Sequence, residues 1–333
     1  MITHNFRNKV TYLSFTMAIL IIFRHSVNID IYNIDGIVYW FQLFISHLTD
    51  TIVPIFFALS GYLFYQNYST DKLKEKLTSR VKTIIIPFIV WNIIGYLFML
   101  AVKAILGDKM NMSFPPFDPV NTFLDIFIHT KYNITWFLLN LIIYTYTFPL
   151  IYRILKSKIG GPIVILIFIG LGYVTQNDKI FYATPYALGC FFGIHYKDIV
   201  QKQYSNSIII LALVALVISI SIETYFNWQQ GGGLMPIRLL QIIMIWIIAD
   251  KLAINKSPKW WMTISFFIYC SHSMILESYE KIIFLFCKNN PHAAMIDFML
   301  APLLAISTIY LSALLLRKSN HIWSVLTGGR TNK

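Results

Sequence analysis

Charge is what this sequence has least of: 13% of its 333 residues are Asp, Glu, Lys or Arg, about half the share found in soluble domains. With 57% of residues hydrophobic and a mean hydropathy of +0.62, a soluble fold is excluded. Long polar stretches are missing too, so no soluble domain of useful size can hang from a single anchor. Cysteine is nearly absent. Cys190, Cys270 and Cys287 lie in or near apolar segments without metal-type spacing, which argues against a disulfide framework or a metal site and leaves them as packing residues. The first apolar run lacks a small-residue cleavage site, so it is expected to stay in place as a helix. Acidic residues are scarce, 15 against 27 basic ones, giving a net charge of +12. That charge would suit nucleic acid, but the basic residues sit in short loops between apolar runs, the pattern of membrane orientation, and no nucleic-acid partner is expected.

What is present is a succession of apolar runs of spanning length, and they predict an all-α, polytopic membrane helix bundle. About ten spans are expected, at residues 10–28, 50–66, 84–105, 135–153, 162–176, 180–195, 207–225, 235–250, 260–283 and 294–316, forming one domain over 1–333. Residues 37–48, "IVYWFQLFISHL", are too short to span and read as a segment along the outer interface. With the N-terminus inside, nineteen Lys and Arg residues fall on the inner side, from Arg7 and Lys9 through the Lys72–Lys82 loop to Lys333. Only Lys103, Lys109, Lys131, Lys179 and Lys288 fall outside. This asymmetry predicts an even number of spans, both termini cytoplasmic, and a multi-pass protein of the inner (cytoplasmic) membrane. The longest outer loop, about 106–134, begins Pro- and Asn-rich and then reads as a short amphipathic helix, "NTFLDIFIH".

Against this background "AILIIFRHSVN", residues 18–28, stands out. An Arg in mid-membrane costs roughly 2.5–3.5 kcal/mol on insertion scales, so Arg24 needs something to offset it. His25 lies roughly 22 Å from the inner end of its helix, in the outer half of the bilayer, where imidazole can serve as a general base toward a hydroxyl arriving from outside. Arg24 points about 100° away, and its charge favours the neutral ring that a base requires. The bland alternative is a helix-end pair that snorkels to the interface. On the inner side Lys72, Lys76, Arg80 and Lys82 precede a helix in "SRVKTIIIPFIVWN"; they suit the phosphates of a nucleotide-like ligand or, equally, anionic lipid. Ser265, Tyr269, His272, Ser273 and Glu277 form a polar stripe at three- to four-residue spacing that lipid would not tolerate, so it should face the bundle interior, orienting a substrate or cross-linking helices. Arg238 reads as a snorkelling outer cation, with Asp50, Glu223 and Asp297 as partners the sequence cannot assign. Ser60 and Gly61 in "VPIFFALSGYLFY" allow close helix approach.

Taken together, these stretches resemble the acyltransferase 3 family of integral membrane enzymes that acylate surface carbohydrates. "VTYLSFTMAILIIFRHS" is similar to the family's first helix, ending in its catalytic His at His25; "VPIFFALSGYLF" is similar to the second. "SRVKTIIIPFIVWN" resembles the basic inner loop, with Arg80 as the retained arginine and Asn92 after Trp91. "ITWFLLNLIIYTYTFPLIY" resembles the helix carrying Trp136 and Phe137, and "SFFIYCSHSMILE" a late helix carrying Tyr269 and His272. "LTGGR" resembles the usual ending. Ser14 and Thr83 stand where the family often carries basic residues. The resemblance implies an O-acyltransferase, usually an O-acetyltransferase, with acetyl-CoA or another acyl-CoA as cytosolic donor substrate and no bound cofactor. Its acceptor would be a hydroxyl of a surface glycan or lipid-linked glycan, with membrane lipid around it. On this reading His25 and Arg24 are catalytic, Arg80, Lys76 and Lys82 hold the donor, and Asn92, Trp136, Tyr269 and His272 line the substrate path. His25 would either deprotonate the acceptor or carry the acyl group transiently. A secondary transporter or flippase for an envelope sugar or lipid is the rival reading, since intramembrane Arg and His also suit proton coupling. A sensor or scaffold without catalysis is a third.

Overall fold

The structure, a computed structural model, describes residues 3–106, 118–130, 132–228, 234–252, 257–287 and 292–330, and no strand occurs among them. The chain opens with α1 (His4–His25), the short α2 (Ile29–Tyr32), α3 (Gly36–Thr49) and α4 (Ile52–Tyr65), then α5 (Leu73–Arg80) and α6 (Ile86–Leu106). Between α5 and α6 the helix widens to a π turn at Val81–Ile85, a feature that commonly marks functional sites. α7 (Pro119–Phe127) leads to α8 (Trp136–Thr147), α9 (Tyr152–Leu155), α10 (Gly160–Thr175) and α11 (Asp178–His195). Then come α12 (Lys197–Gln201), α13 (Asn206–Phe226), α14 (Met235–Ile248), α15 (Ser265–Cys287), α16 (Ala293–Leu316) and α17 (Asn320–Thr327).

Local chemistry sets many of the ends. Thr3 Oγ1 accepts from the Phe6 amide at 3.2 Å, and Asp118 caps α7 through the amides of Val120 and Asn121, with Pro119 at the first helical position where no N–H is needed. The expected amphipathic outer helix is therefore α7, although residues 107–117 of that loop lie outside the described residues. Asn227 ends α13 in the left-handed conformation, which Asn tolerates better than most residues.

Among the described residues, six runs are long and apolar enough to cross a membrane: His4–Tyr32, Gly36–Tyr65, Thr70–Val102, Asn133–Leu155, Asn206–Phe226 and Ala293–Leu316. The chain is thus an all-helical, multi-pass membrane protein. The other expected spans are helices too, but α10 has 16 residues and α14 has 14, α11 opens with Asp178 and Lys179, and α15 carries Glu277, Glu280 and Lys281. Residues 37–48 depart from expectation. They form most of α3, which buries Gln42, Leu43, His47 and Thr49 and packs against α1 and α13. Only Asp50 and Thr51 separate α3 from α4, so the two make one apolar run instead of an interfacial segment.

Two departures involve charge. Lys9 is not a loop cation: it is buried, 2.6 Å from Asp250 and 3.9 Å from the centre of the Trp246 ring. Arg238 does not snorkel either. It is 2% exposed and held by two carboxylates described below.

The tightest seam is α4 against α11. Cβ atoms placed at Gly61 or Gly189 would collide with the main chain of the facing helix, and one at Gly193 would lie 2.8 Å from the Tyr62 carbonyl oxygen. Small residues let the two backbones touch, which is how helices associate where lipid removes any hydrophobic drive between them. The seam fixes the aromatic side chains of both helices, and Phe57, Tyr182 and Tyr186 project from it into the core.

Candidate active site

His25 is the last residue of α1, and the chain beyond it is pinned. Ser26 Oγ donates to the Phe23 carbonyl at 3.1 Å. Asn28 and Gln42 exchange two bonds of 2.9 Å, and the Asn28 amide donates to the Ala294 carbonyl at 3.1 Å and to Asp297 at 3.3 Å. Asp297, unassigned from sequence, also accepts from the Tyr32 hydroxyl at 3.3 Å. The imidazole of His25 is exposed although Ile22 and Ser26 around it are buried. It does not turn away from the bundle: its ring centre is 5.1 Å from that of His272 on α15, which is fully buried. His272 Nδ1 lies 2.6 Å from the Tyr269 carbonyl oxygen. A carbonyl can only accept, so Nδ1 carries the proton and Nε2 is left as an acceptor, buried and without a hydrogen-bond partner. Of the polar stripe of α15, Tyr269, His272 and Ser273 are buried while Glu277 is exposed; Ser273 donates to Glu277 at 2.5 Å.

Arg24 finds its offset in Asp50, with Nε 3.3 Å from Oδ1. The other carboxylate oxygen is 3.2 Å from Arg238, whose second amino group lies 2.7 Å from Glu223 and donates to Gln241 at 2.8 Å. Gln241 in turn donates to Glu223 at 2.6 Å and accepts from the Thr51 hydroxyl at 2.6 Å, while His47 Nδ1 stands 3.6 Å from Asp50. Two guanidinium groups and two carboxylates balance, which is the condition for charge to persist in a low-dielectric bundle. The Arg24 side chain remains 35% exposed against 3% for Asp50, so its partner does not close it off from a ligand.

An aromatic wall leads inward from this pair. Trp136 packs on Tyr182 at 5.1 Å and Phe137 on Phe57 at 4.5 Å. Tyr182 and Tyr186 lie one helical turn apart on α11, and Tyr186 packs on Tyr144 at 5.4 Å. Tyr269 donates to the Ile134 carbonyl and sets its ring 5.4 Å from Phe137. Asn92 is committed elsewhere: its Oδ1 accepts from the Tyr132 amide and the Thr135 hydroxyl, both at 2.9 Å, and its amide donates to the Phe88 carbonyl at 3.0 Å. It clasps α6 to the start of α8 and leaves little for a substrate. Two apolar cavities, of about 130 and 280 Å³, include neither His25 nor Arg80 among their walls.

Arg80 is half-buried with its guanidinium 5.7 Å from the Phe64 ring centre. The Lys76 ammonium donates to the Phe64 carbonyl, and Lys82 is exposed on the π turn. Arg330, which reads along the chain only as an inner-side cation, has its guanidinium 3.9 Å from the Phe266 ring centre. Thr83, at the second family departure, touches the same turn: a Cβ on Gly328 would lie 2.7 Å from its carbonyl oxygen. The signal available in sequence was the Gly-Gly pair before Arg330; both glycines take positive φ, 61° and 70°, which only glycine adopts freely.

Comparison with known proteins fits this arrangement. No curated protein and no solved structure matches the chain. A family model described as an acyltransferase domain matches residues 9–317, a stretch running from the buried Lys9 to the end of α16. The chain belongs to the acyltransferase 3 family.

Proposed function

We propose that this membrane acyltransferase moves an acyl group, acetyl in the first instance, from cytosolic acyl-CoA to a hydroxyl of a cell-envelope polysaccharide or lipid-linked glycan. The observation that carries the reading is His25: an accessible imidazole at the end of α1, backed by His272 and flanked by an Arg24 that Asp50 neutralises. His25 takes the hydroxyl proton as the acceptor oxygen attacks the thioester carbonyl carbon. The open edge of Arg24 meets the oxyanion that forms. The C–S bond then breaks, the CoA thiolate receives the proton from the imidazolium, and the acceptor keeps the acyl group as an ester. His272, held through Nδ1, positions the His25 ring. Arg80 serves the phosphate end of the donor with Lys82 beside it; Lys76 contributes through its charge, its hydrogen-bonding capacity being partly spent on Phe64. The extended pantetheine arm would lie along Tyr186, Tyr182 and Trp136.

The test uses membrane vesicles holding the full chain, labelled acetyl-CoA on the cytosolic side, and mass analysis of the surface glycan. His25→Ala is expected to insert normally and to lose acylation by about 10²–10⁴-fold. A variant that still acylates at the wild-type rate removes His25 from the mechanism, and glycan translocation without label transfer would favour a transporter.

A further inference from the structure

Cations held inside the bundle come with carboxylates: Lys9 has Asp250, Arg24 has Asp50, and Arg238 has Asp50 and Glu223. Arg80, half-buried, and Arg330, exposed and so open to a ligand, do not. Among the described residues no carboxylate forms an ion pair with either, and the turn that carries Arg330 sits on Thr83, three residues after Arg80. Surrounding protein, and then the nearby Arg80, hold Arg330 below the usual guanidinium range, at about 10, against a smaller opposing pull from Cys270. Two accessible like charges on neighbouring segments without a counter-charge attract an anion.

The geometry also selects the anion. Each guanidinium lies over an aromatic ring, Arg330 on Phe266 and Arg80 on Phe64. A guanidinium stacked by its face keeps its N–H groups in the plane, directed outward, and Arg330 uses one amino group on the Thr327 carbonyl at 3.0 Å. The remaining N–H fork matches the paired oxygens of a phosphate. Nor is Arg330 on a loose tail. The Trp91 indole of α6 donates to the Leu326 carbonyl at 3.0 Å, the Gly329 amide donates to the Ser324 carbonyl at 2.9 Å, and Gly328 is seated on the Thr83 carbonyl of the π turn. The turn that carries Arg330 is docked onto the segment that follows Arg80.

We propose that Arg330, presented by the Gly328–Gly329 turn, completes with Arg80 a two-arginine site for a phosphate ester at the inner mouth of the bundle. The identity of that ester as the nucleotide end of the acyl donor rests on the acyl-CoA reading above; the site itself does not. Phosphate could also arrive on a lipid headgroup, and the experiment separates the two sources.

The full chain is placed in nanodiscs of phosphatidylcholine, and binding of CoA and of inorganic pyrophosphate is measured for wild type, Arg330→Gln and Arg330→Lys. The expected result is CoA binding weakened about tenfold or more in Arg330→Gln and partly restored in Arg330→Lys. A folded Arg330→Gln that binds CoA as wild type does overturns the site and leaves the donor reading standing. Pyrophosphate binding that depends on Arg330, without CoA binding, keeps the site and removes the donor reading. A second measurement needs no variant: phenylglyoxal labelling of Arg330 in the wild-type chain, read by peptide mass. Protection by CoA in phosphatidylcholine assigns the site to the donor, and protection by added phosphatidylglycerol assigns it to a headgroup. Labelling that neither CoA, pyrophosphate nor phosphatidylglycerol slows overturns the proposal.

Discussion

Asp50 answers for two arginines at once. It neutralises Arg24 at the edge of the site and Arg238 in the interior, and its place between α3 and α4 lets one carboxylate reach two helices. Removing one partner of a buried charge group leaves the rest uncompensated, at a cost of about 3–5 kcal/mol. Asp50→Ala is therefore expected to lower the thermal midpoint of the detergent-solubilised protein clearly and to abolish acyl transfer, because Arg24 loses the contact that aims it. A midpoint equal to that of wild type would show that the group does not act as a unit. Of the residues singled out by sequence, His25 and His272 meet ring to ring. Asn92 turns out to hold backbone and hydroxyl groups of the segment before α8, a use that a residue read along the chain cannot reveal, since its partners lie forty residues away and more.

Among the elements, the α4–α11 seam governs the site because it carries Phe57, Tyr182 and Tyr186. Gly189 faces the Ala58 carbonyl with no room for a methyl group, whereas Gly170 on α10 has no atom within 4 Å of where one would sit. The two positions make a matched test. Gly189→Ala is expected to destabilise by about 1–3 kcal/mol through overpacking, and to impair transfer by shifting Tyr182 and Tyr186. Gly170→Ala should be neutral or stabilise by up to about 1 kcal/mol through helix propensity. Thermal unfolding of both variants beside wild type checks the pair; equal midpoints would mean the seam opens without cost. The seam was partly legible, since Gly61 was read as a close-approach position, but its partner helix was not: α11 reads in sequence as a short, unremarkable span.

For the whole molecule the open question is orientation. The excess of Lys and Arg on one side predicts that both ends of this chain face the cytosol. In a background with Cys287 changed to Ser, single cysteines at the exposed positions Asn5 and Asn320 should react with an impermeant maleimide only after the membrane is opened. One at the exposed Asp35, beyond His25, should react in intact cells. The reverse pattern would put His25 on the wrong side for an external hydroxyl and Arg80 on the wrong side for a cytosolic donor. Cys190 and Cys270 are buried and should stay silent.

By itself the amino-acid sequence determined the class of solvent, the helical architecture and the family, and it singled out His25 as a candidate. Hydropathy, loop charge and short motifs are sums over neighbouring residues, and they survive being read along a line. Only the tertiary structure decided that residues 37–48 join α4, that Lys9 and Arg238 are interior cations, and that Arg330 stands near Arg80. Those outcomes depend on how each helix is rotated about its own axis and on partners such as Asp50 and Arg238, 188 positions apart. In a membrane nearly every helix face is apolar, so periodicity says little about rotation, and it is the packing of the bundle that chooses which charges meet.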